Sequence, residues 1–150
     1  DFGSQYSHLI ARRVRELNVY CELYSCQVPA EELGKHKLTA VILSGGPSSV
    51  YDEGAPHVSE GVWKLIAESN LPVLGICYGM QTLAEQFGGQ VSSSKNKEFG
   101  HAQILLEKSS LLFDGFSSGS SIDVWMSHGD HVSTLPGQFN LIASTASAPI

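Results

Sequence analysis

Residues 71–79 of the chain read LPVLGICYG. The apolar run from Leu71 to Ile76 is typical of a strand buried on both faces, and the residues after Gly79 have the period of a helix. Between the two, Gly75, Cys77 and Gly79 form the pattern G-x-C-x-G, the cysteine counterpart of the nucleophile elbow, in which a sharp turn joins a strand to a helix. This stretch therefore predicts an α/β fold with a reactive cysteine at the turn.

Apolar runs and helical periods alternate through the first two thirds of the chain, and shorter strand candidates follow. Helices are predicted where apolar residues recur at helical spacing, and these sets are Leu9, Ile10, Val14 and Leu17; Val58, Val62, Leu65 and Ile66; and Met80, Leu83, Ala84 and Phe87, with Gly88 and Gly89 as the stop. Strands are predicted at residues 19–24, 40–43, 71–76, 102–106, 122–126 and 141–144. This order predicts an α/β domain with an open, mostly parallel sheet and helices on both faces, whose functional groups lie at the carboxyl ends of the strands.

Both ends of the chain differ from those of a complete domain. Residue 1 is Asp rather than Met, and residues 148–150 read API without a closing helix or a charged tail. We therefore expect a single, incomplete domain over residues 1–150, truncated at both ends.

The composition indicates which partners and which compartment to expect. Hydrophobic residues make up 42% of the 150 residues, with no apolar run near the roughly 18 residues that a membrane-spanning helix requires. The formal net charge is −6, and the nine Lys and Arg are scattered apart from a cluster at 12–15, so we expect neither nucleic acid nor a membrane as partner. Cys21, Cys26 and Cys77 are an odd number without metal-ligand spacing, which favours a reducing, cytoplasmic compartment.

The elbow pattern gives Cys77 the surroundings of a nucleophile. A sharp strand-to-helix turn crowds the backbone, so small residues are needed two positions before and two after the cysteine, and Gly75 and Gly79 meet that need. The turn also places the sulfur at a helix N-terminus, where the dipole and the free N–H groups favour thiolate over thiol. A buried, inert cysteine is the alternative, and it is the commoner fate of cysteine in general.

A glycine loop at the end of the preceding strand could complete the site. Ser44–Pro47 reads SGGP and follows the apolar run at 40–43, so in a parallel sheet it would lie at the same edge as Cys77. The N–H groups of Gly46 and Tyr78 would then form an oxyanion hole with two donors, each worth about 3 kcal/mol in a transition state. Taken alone, Gly-Gly-Pro is only a turn, and that interpretation stays open.

Six segments together resemble one known family, the class I, triad-type glutamine amidotransferases. The pattern GICxGxQ is shared by that class, whereas DFGSQY, GGPSSVY, the Tyr after the cysteine and WMSHGD together are typical of one branch of it. The matching segments are residues 1–6 (DFGSQY), 10–16 (IARRVRE), 43–51 (LSGGPSSVY), 75–81 (GICYGMQ), 98–100 (EFG) and 125–130 (WMSHGD). The resemblance implies the flavodoxin-like fold of that family and a glutaminase activity.

The resemblance also assigns roles to individual residues. Cys77 would be the nucleophile, and Gly46 and Tyr78 would supply the oxyanion-hole amides. The residues that would hold the amino-acid end of glutamine are Gln81 and the backbone around Ser127, His128 and Gly129. Read from spacing alone, Gln81 lies one helical turn after Cys77 and could face the same cleft, although it could equally be a solvated helix residue.

The resemblance further implies the partners of the domain. Ammonia released from L-glutamine would pass to a synthetase domain of the ATP-pyrophosphatase type, which uses ATP and Mg²⁺ to aminate XMP to GMP. No part of such a domain is found in this sequence. We therefore expect the chain itself to need no metal and no cofactor.

One element of the family pattern is missing. The general base of the family is the histidine of a His-x-Glu pair, and none of the six histidines of this chain stands in such a pair. His128 and His131 are weaker candidates for that role. Two alternatives therefore stay open: a module that binds glutamine or a partner without turnover, and the glutaminase part of another branch, such as those of anthranilate or carbamoyl phosphate synthases.

Overall fold

The computed structural model describes residues 1–146 and 148–150, and the side chains of residues 94–98 lie outside what it describes. The chain forms two compact units, residues 1–83 and residues 84–150. The helices are α1 (Ser7–Glu16), α2 (Ala30–Leu33), α3 (Glu60–Glu68) and α4 (Tyr78–Gln86), and the strands are β1 (Val41–Leu43), β2 (Val73–Gly75), β3 (Gln90–Leu106), β4 (Ser121–Thr134) and β5 (Ala143–Ser144). A short 3₁₀ helix spans Leu111–Phe113.

The first unit contains the parallel strand pair that the sequence predicts. β1 and β2 run parallel, with Val41 opposite Val73 and Leu43 opposite Gly75, and α3 lies between them in the chain. A strand, a helix and a parallel strand make up the α/β crossover unit, so the predicted fold class is confirmed. The parallel sheet is small, with two strands in the described residues.

Helix α3 shows how local sequence signals fix the elements of this unit. Ser59 caps the helix by accepting a hydrogen bond from the Val62 N–H at 3.4 Å, and Val62 and Ile66, one turn apart, are buried. The helix ends at Glu68, Asn70 two residues later has φ of 48°, and the Leu71 N–H donates to Ile66 O at 3.0 Å. Asparagine tolerates this left-handed conformation better than most residues, so the predicted helix is confirmed with both of its ends explained.

Helix α1 is present as predicted, but its most buried residues are not members of the predicted apolar set. Ser7 and Ala11 are its buried residues, whereas Leu9 is exposed and Leu17 lies beyond the last helical residue with 77% of its surface exposed. Small residues one turn apart allow the helix backbone to approach its neighbours closely. Ile10 and Val14 are half-buried beside them, so the predicted apolar face is right for these two residues and wrong for Leu9 and Leu17.

The predicted strand at Val19–Tyr24 is not formed as a regular strand. The segment has no ladder partner among the described residues and lines a cavity of about 440 Å³, together with α1 and residues 37–44. Its apolar side chains face this space rather than a neighbouring strand. Val19 and Tyr20 remain 50% and 83% exposed, and at the end of the segment Tyr24 O accepts a hydrogen bond from Asp1 N at 2.7 Å.

The second unit is built on an antiparallel hairpin. β3 and β4 pair along almost their full lengths, and β5 joins the other side of β3, so the strand order is β4-β3-β5. The strands predicted at 102–106 and 122–126 lie within β3 and β4, and the strand predicted at 141–144 is formed only at Ala143–Ser144. The expectation of further sheet is confirmed. Helix α4 stops as predicted, with Gly88 at φ of 84° and the Gly89 N–H donating to Ala84 O at 2.8 Å.

Among the described residues, no helix is both long enough and apolar enough to cross a membrane.

Candidate active site

Cys77 lies at the turn between β2 and α4 in a strained backbone conformation. β2 ends at Gly75, α4 begins at Tyr78, and Cys77 between them has φ of 52°. A left-handed conformation costs a residue with a side chain about 1–2 kcal/mol. Strain of this kind is what the nucleophile elbow requires, so the predicted turn is present at the predicted residue.

The two glycines of the pattern are required by close approach. A Cβ atom on Gly75 would lie 2.6 Å from Met80 Cα, and one on Gly79 would lie 2.2 Å from the carbonyl oxygen of Leu43. Both distances are far below normal contact, and in each case the neighbouring atom belongs to the backbone. The prediction that this turn needs glycine two residues before and two residues after the cysteine is confirmed.

The glycine loop after β1 lies at the same edge of the sheet as Cys77. The Ile76 N–H donates to Leu43 O and the Gly79 N–H to Ser44 O, both at 2.9 Å, so the carboxyl ends of the two strands are held together. A Cβ on Gly45 would lie 3.6 Å from the Cβ of Cys77. The loop therefore lies beside Cys77 and is more than a surface turn.

Gly46 and Tyr78, the two residues assigned to the oxyanion hole, are neighbours in this arrangement. A Cβ on Gly46 would lie 3.4 Å from Tyr78 Cγ and 2.9 Å from Phe2 O. Tyr78 is only 1% exposed, its ring lies 5.0 Å from that of Phe2, and its hydroxyl donates to Pro56 O at 2.7 Å. The residue after the cysteine is thus anchored at both ends of its side chain, which fixes the first turn of α4 against the glycine loop.

Gln81 is buried one turn after the cysteine. Its N–H donates to Cys77 O at 3.0 Å, and the residue is 4% exposed. A solvated helix glutamine would be exposed, so that alternative is wrong. A buried amide side chain needs hydrogen-bond partners, which makes Gln81 a specific rather than an incidental feature of this helix.

Ser127, His128 and Gly129 lie on β4, in the second unit. The strand predicted at 122–126 extends through these residues, because the β3–β4 ladder continues through Ser127, opposite Phe99, to Val132, opposite Val91. His128 Nδ1 lies 3.1 Å from Asp130 O. The side chain of Glu98, from the EFG segment, falls outside the described residues.

Sequence reasoning missed a polar cluster beneath the glycine loop. One carboxylate oxygen of Asp1 accepts hydrogen bonds from four groups: Gly3 N at 3.0 Å, Ser4 N at 3.2 Å, Ser7 Oγ at 2.5 Å and Ser44 Oγ at 3.1 Å. The first two bonds form the local turn that Asp favours just before a helix. An Asp followed by Gly and Ser at the start of a helix is the signal that could have indicated this cluster, whereas the contact with Ser44 could not be read from spacing.

Comparison with known proteins agrees with this geometry. Residues 1–149 match the family model described as "Glutamine amidotransferase class-I". The chain is 49% identical to the "GMP synthase [glutamine-hydrolyzing]" of Pseudomonas putida (strain GB-1) and 51% identical to the protein of that name from Marinobacter nauticus, covering 100% of the chain in each case. It spans 29% of the length of these relatives.

Solved structures give the same result. A protein from Thermoplasma acidophilum, described as a putative GMP synthase subunit, superposes with a TM-score of 0.81 at 35% identity, covering 100% of this chain and 72% of that one. A glutamine amidotransferase from Thermotoga maritima has a TM-score of 0.71 at 24% identity, with 99% of this chain and 64% of that one covered, and shows the likeness of fold. With the family model matched over residues 1–149, the chain belongs to the class I glutamine amidotransferases.

Proposed function

We propose that this chain is the glutaminase part of a GMP synthase and that Cys77 is its nucleophile. The observation that carries the proposal is the elbow itself: a cysteine at φ of 52° between a parallel strand and a helix, beside a Gly-Gly loop. The identity of about half to proteins named GMP synthase supports this branch over the glutaminase parts of anthranilate or carbamoyl phosphate synthases.

The chemistry begins at the side-chain amide of glutamine. The thiolate of Cys77 attacks the amide carbon, and the negative charge that develops on the oxygen is held by the N–H groups of Gly46 and Tyr78. The C–N bond then breaks, the nitrogen takes up a proton and leaves as ammonia, and a γ-glutamyl thioester remains. Water attacks the thioester, which releases glutamate and restores the thiol.

The proton transfers need an acid and base of suitable pKa. The family assigns this role to the histidine of a His-x-Glu pair, and none of the six histidines of the chain has that spacing. The chain's own contribution to the reaction is therefore the nucleophile and the oxyanion donors. Gln81, together with the backbone of Ser127, His128 and Gly129, would hold the amino-acid end of the substrate.

The proposal includes the fate of the ammonia. In a GMP synthase it passes to a synthetase domain, where ATP and Mg²⁺ activate XMP for amination to GMP. The relatives, of which this chain spans 29%, are long enough to hold such a domain. On this proposal the glutaminase part needs no metal and no cofactor, and it works in the cytoplasm, in agreement with its odd number of cysteines.

The test compares two nitrogen sources in the full-length protein. Cys77→Ala should abolish GMP synthesis from glutamine, a loss of at least about 10³-fold, because the nucleophile is gone. Synthesis from added ammonium salt should continue, because ammonia then enters without passing through the thioester. Loss of both activities would assign Cys77 a structural role instead.

Covalent labelling separates turnover from mere binding. A glutamine analogue with a diazoketone at the side-chain carbon, 6-diazo-5-oxo-L-norleucine, should add once to Cys77 and not to Cys21 or Cys26, and free glutamine should suppress the reaction. Intact-mass analysis and peptide mapping give the readout. A module that binds glutamine without a working nucleophile would form no such adduct, and equal labelling of all three cysteines would contradict the assigned elbow.

A further inference from the structure

The glycine loop is held between the elbow and the first residues of the chain. On one side, the carbonyl of Ser44 accepts the Gly79 N–H at 2.9 Å, and a Cβ on Gly45 would lie 3.6 Å from Cys77 Cβ. On the other side, the backbone of Phe2 lies so close to Gly46 that an added Cβ would come within 2.9 Å of its oxygen. Any shift of Phe2 therefore displaces the loop relative to the cysteine.

Ser44 is the residue that links these two sides. Its side-chain oxygen accepts the Phe2 N–H at 3.1 Å, and its hydroxyl lies 3.1 Å from the Asp1 carboxylate and 3.0 Å from Gly45 O. Ser44 is 4% exposed, so water cannot easily replace these bonds. The same residue thus bonds the elbow through its main chain and the Asp1–Phe2 segment through its side chain.

Asp1 keeps this segment in place. One oxygen of its carboxylate accepts hydrogen bonds from the N–H groups of Gly3 and Ser4 and from the hydroxyl of Ser7. The same oxygen accepts the bond from the Ser44 hydroxyl. Hydrogen bonds to an ionised group are shorter and stronger than those between neutral groups. The carboxylate therefore fixes the start of α1 and, with it, the position of Phe2 against the glycine loop.

We propose that Ser44, held by Asp1, is a positioning residue for the oxyanion hole. It touches no reacting atom and acts through Gly45 and Gly46. Its hydroxyl sets where the Gly46 N–H stands relative to the sulfur of Cys77. This inference rests on the proposed glutaminase function, and it adds a residue outside the nucleophile and the donors themselves.

The matched pair of variants is Ser44→Ala and Ser7→Ala in the full-length protein. Both serines are almost fully buried, at 4% and 2% exposure, and both bond the same carboxylate oxygen, but Ser44 belongs to the loop whereas Ser7 belongs to α1. A merely structural role predicts similar effects from both variants. A positioning role predicts that only Ser44→Ala alters the chemistry.

The measurement is the steady-state hydrolysis of glutamine, with kcat and KM determined separately. Ser44→Ala should lower kcat by about 10- to 100-fold, since a displacement of about 1 Å in a catalytic group can have such an effect, while KM changes by less than about 2-fold. Ser7→Ala should keep kcat within about 2-fold of the parent. Alkylation of Cys77 by iodoacetamide, which forms no oxyanion, should proceed at the parent rate in both variants.

Asp1→Asn keeps the test decisive if Ser44→Ala does not fold. It retains one acceptor oxygen and removes the charge, so kcat should fall by a smaller factor with KM again unchanged. An unchanged kcat in Ser44→Ala, or an equal loss in Ser7→Ala, would overturn the positioning role. Cys77→Ala is assayed in parallel: if it still hydrolyses glutamine, the proposed function fails, and if it does not, only the role of Ser44 is in question.

Discussion

The two units of the chain form their sheets in different ways. In residues 1–83, β1 and β2 have three residues each, and their ends are fixed by glycines that leave no room for another atom. In residues 84–150, β3 has 17 residues and β4 has 14, and a long antiparallel ladder joins them. The sheet of the first unit depends on close packing at a few glycine positions. The sheet of the second unit is stabilised by many backbone hydrogen bonds.

This difference shows where function can be placed. A strained turn can hold a nucleophile in one orientation only if its surroundings prevent relaxation, and the contacts of Gly79 and Tyr78 do so in the first unit. The hairpin tolerates exposed aromatic residues, with Phe99 at 69% and Trp125 at 79%, because its backbone pairing does not depend on them. Single substitutions should therefore have large effects at the elbow and small effects on the hairpin.

The largest effect is expected from Gly79→Ala. The new Cβ would lie 2.2 Å from Leu43 O, 2.5 Å from Leu43 C and 2.6 Å from Leu43 Cβ, so β1 and α4 would have to separate. We expect the free energy of unfolding to fall by about 3 kcal/mol or more, because the clash is with backbone. Urea unfolding followed by circular dichroism measures the change, and labelling of Cys77 should be lost with it.

The same change at Gly137 is the control for this prediction. An Ala there would meet no atom within 4 Å, and the residue has no positive φ. Its unfolding free energy should change by less than about 1 kcal/mol. If Gly79→Ala and Gly137→Ala had equal effects, the contrast between the two units would be wrong.

How far the sequence could predict this structure also differs between the units. The elbow at Gly75, Cys77 and Gly79 could be predicted because its requirement is local: small residues are needed two positions before and two positions after the cysteine. The position of the glycine loop beside Cys77 followed from the parallel pairing of β1 and β2 once that pairing was assumed, whereas helical spacing placed Gln81 one turn after Cys77 and left its burial open. Local steric rules thus determine most of the candidate site.

Long-range features could not be read from the sequence in the same way. The strands predicted at 102–106 and 122–126 are parts of much longer ones, because polar and glycine residues continue the ladder through backbone bonds that no hydrophobic pattern marks. The strand predicted at Val19–Tyr24 joins no ladder in the part of the chain that the structure describes, since pairing depends on a neighbour and not on composition. The hydrogen bond from Ser44 to Asp1 joins residues 43 positions apart and has no local signal.

A second, smaller effect isolates the strain at the elbow. Cys77→Gly and Cys77→Ala both remove the sulfur, but only alanine keeps the Cβ that makes φ of 52° unfavourable. We expect the glycine variant to be more stable than the alanine variant by about 1 kcal/mol, although both lack glutaminase activity. Thermal and urea unfolding of the two proteins under identical conditions provides the comparison, and a more stable alanine variant would contradict the left-handed conformation.

The smallest effect is expected from Asp123→Asn on the hairpin. Hydrogen bonds from Gln103 and His101 hold the pKa of the Asp123 carboxyl below its usual value, although water surrounds the pair. A carboxyl with a lowered folded-state pKa adds stability above its unfolded-state pKa, and this contribution is lost as the pH falls through the folded-state value. The difference in unfolding midpoint between the parent and Asp123→Asn should thus be small at neutral pH and vanish in acid. A difference that persists below the folded-state pKa would show that the side chain acts through packing, and an effect as large as that of Gly79→Ala would mean that the hairpin, too, depends on single contacts.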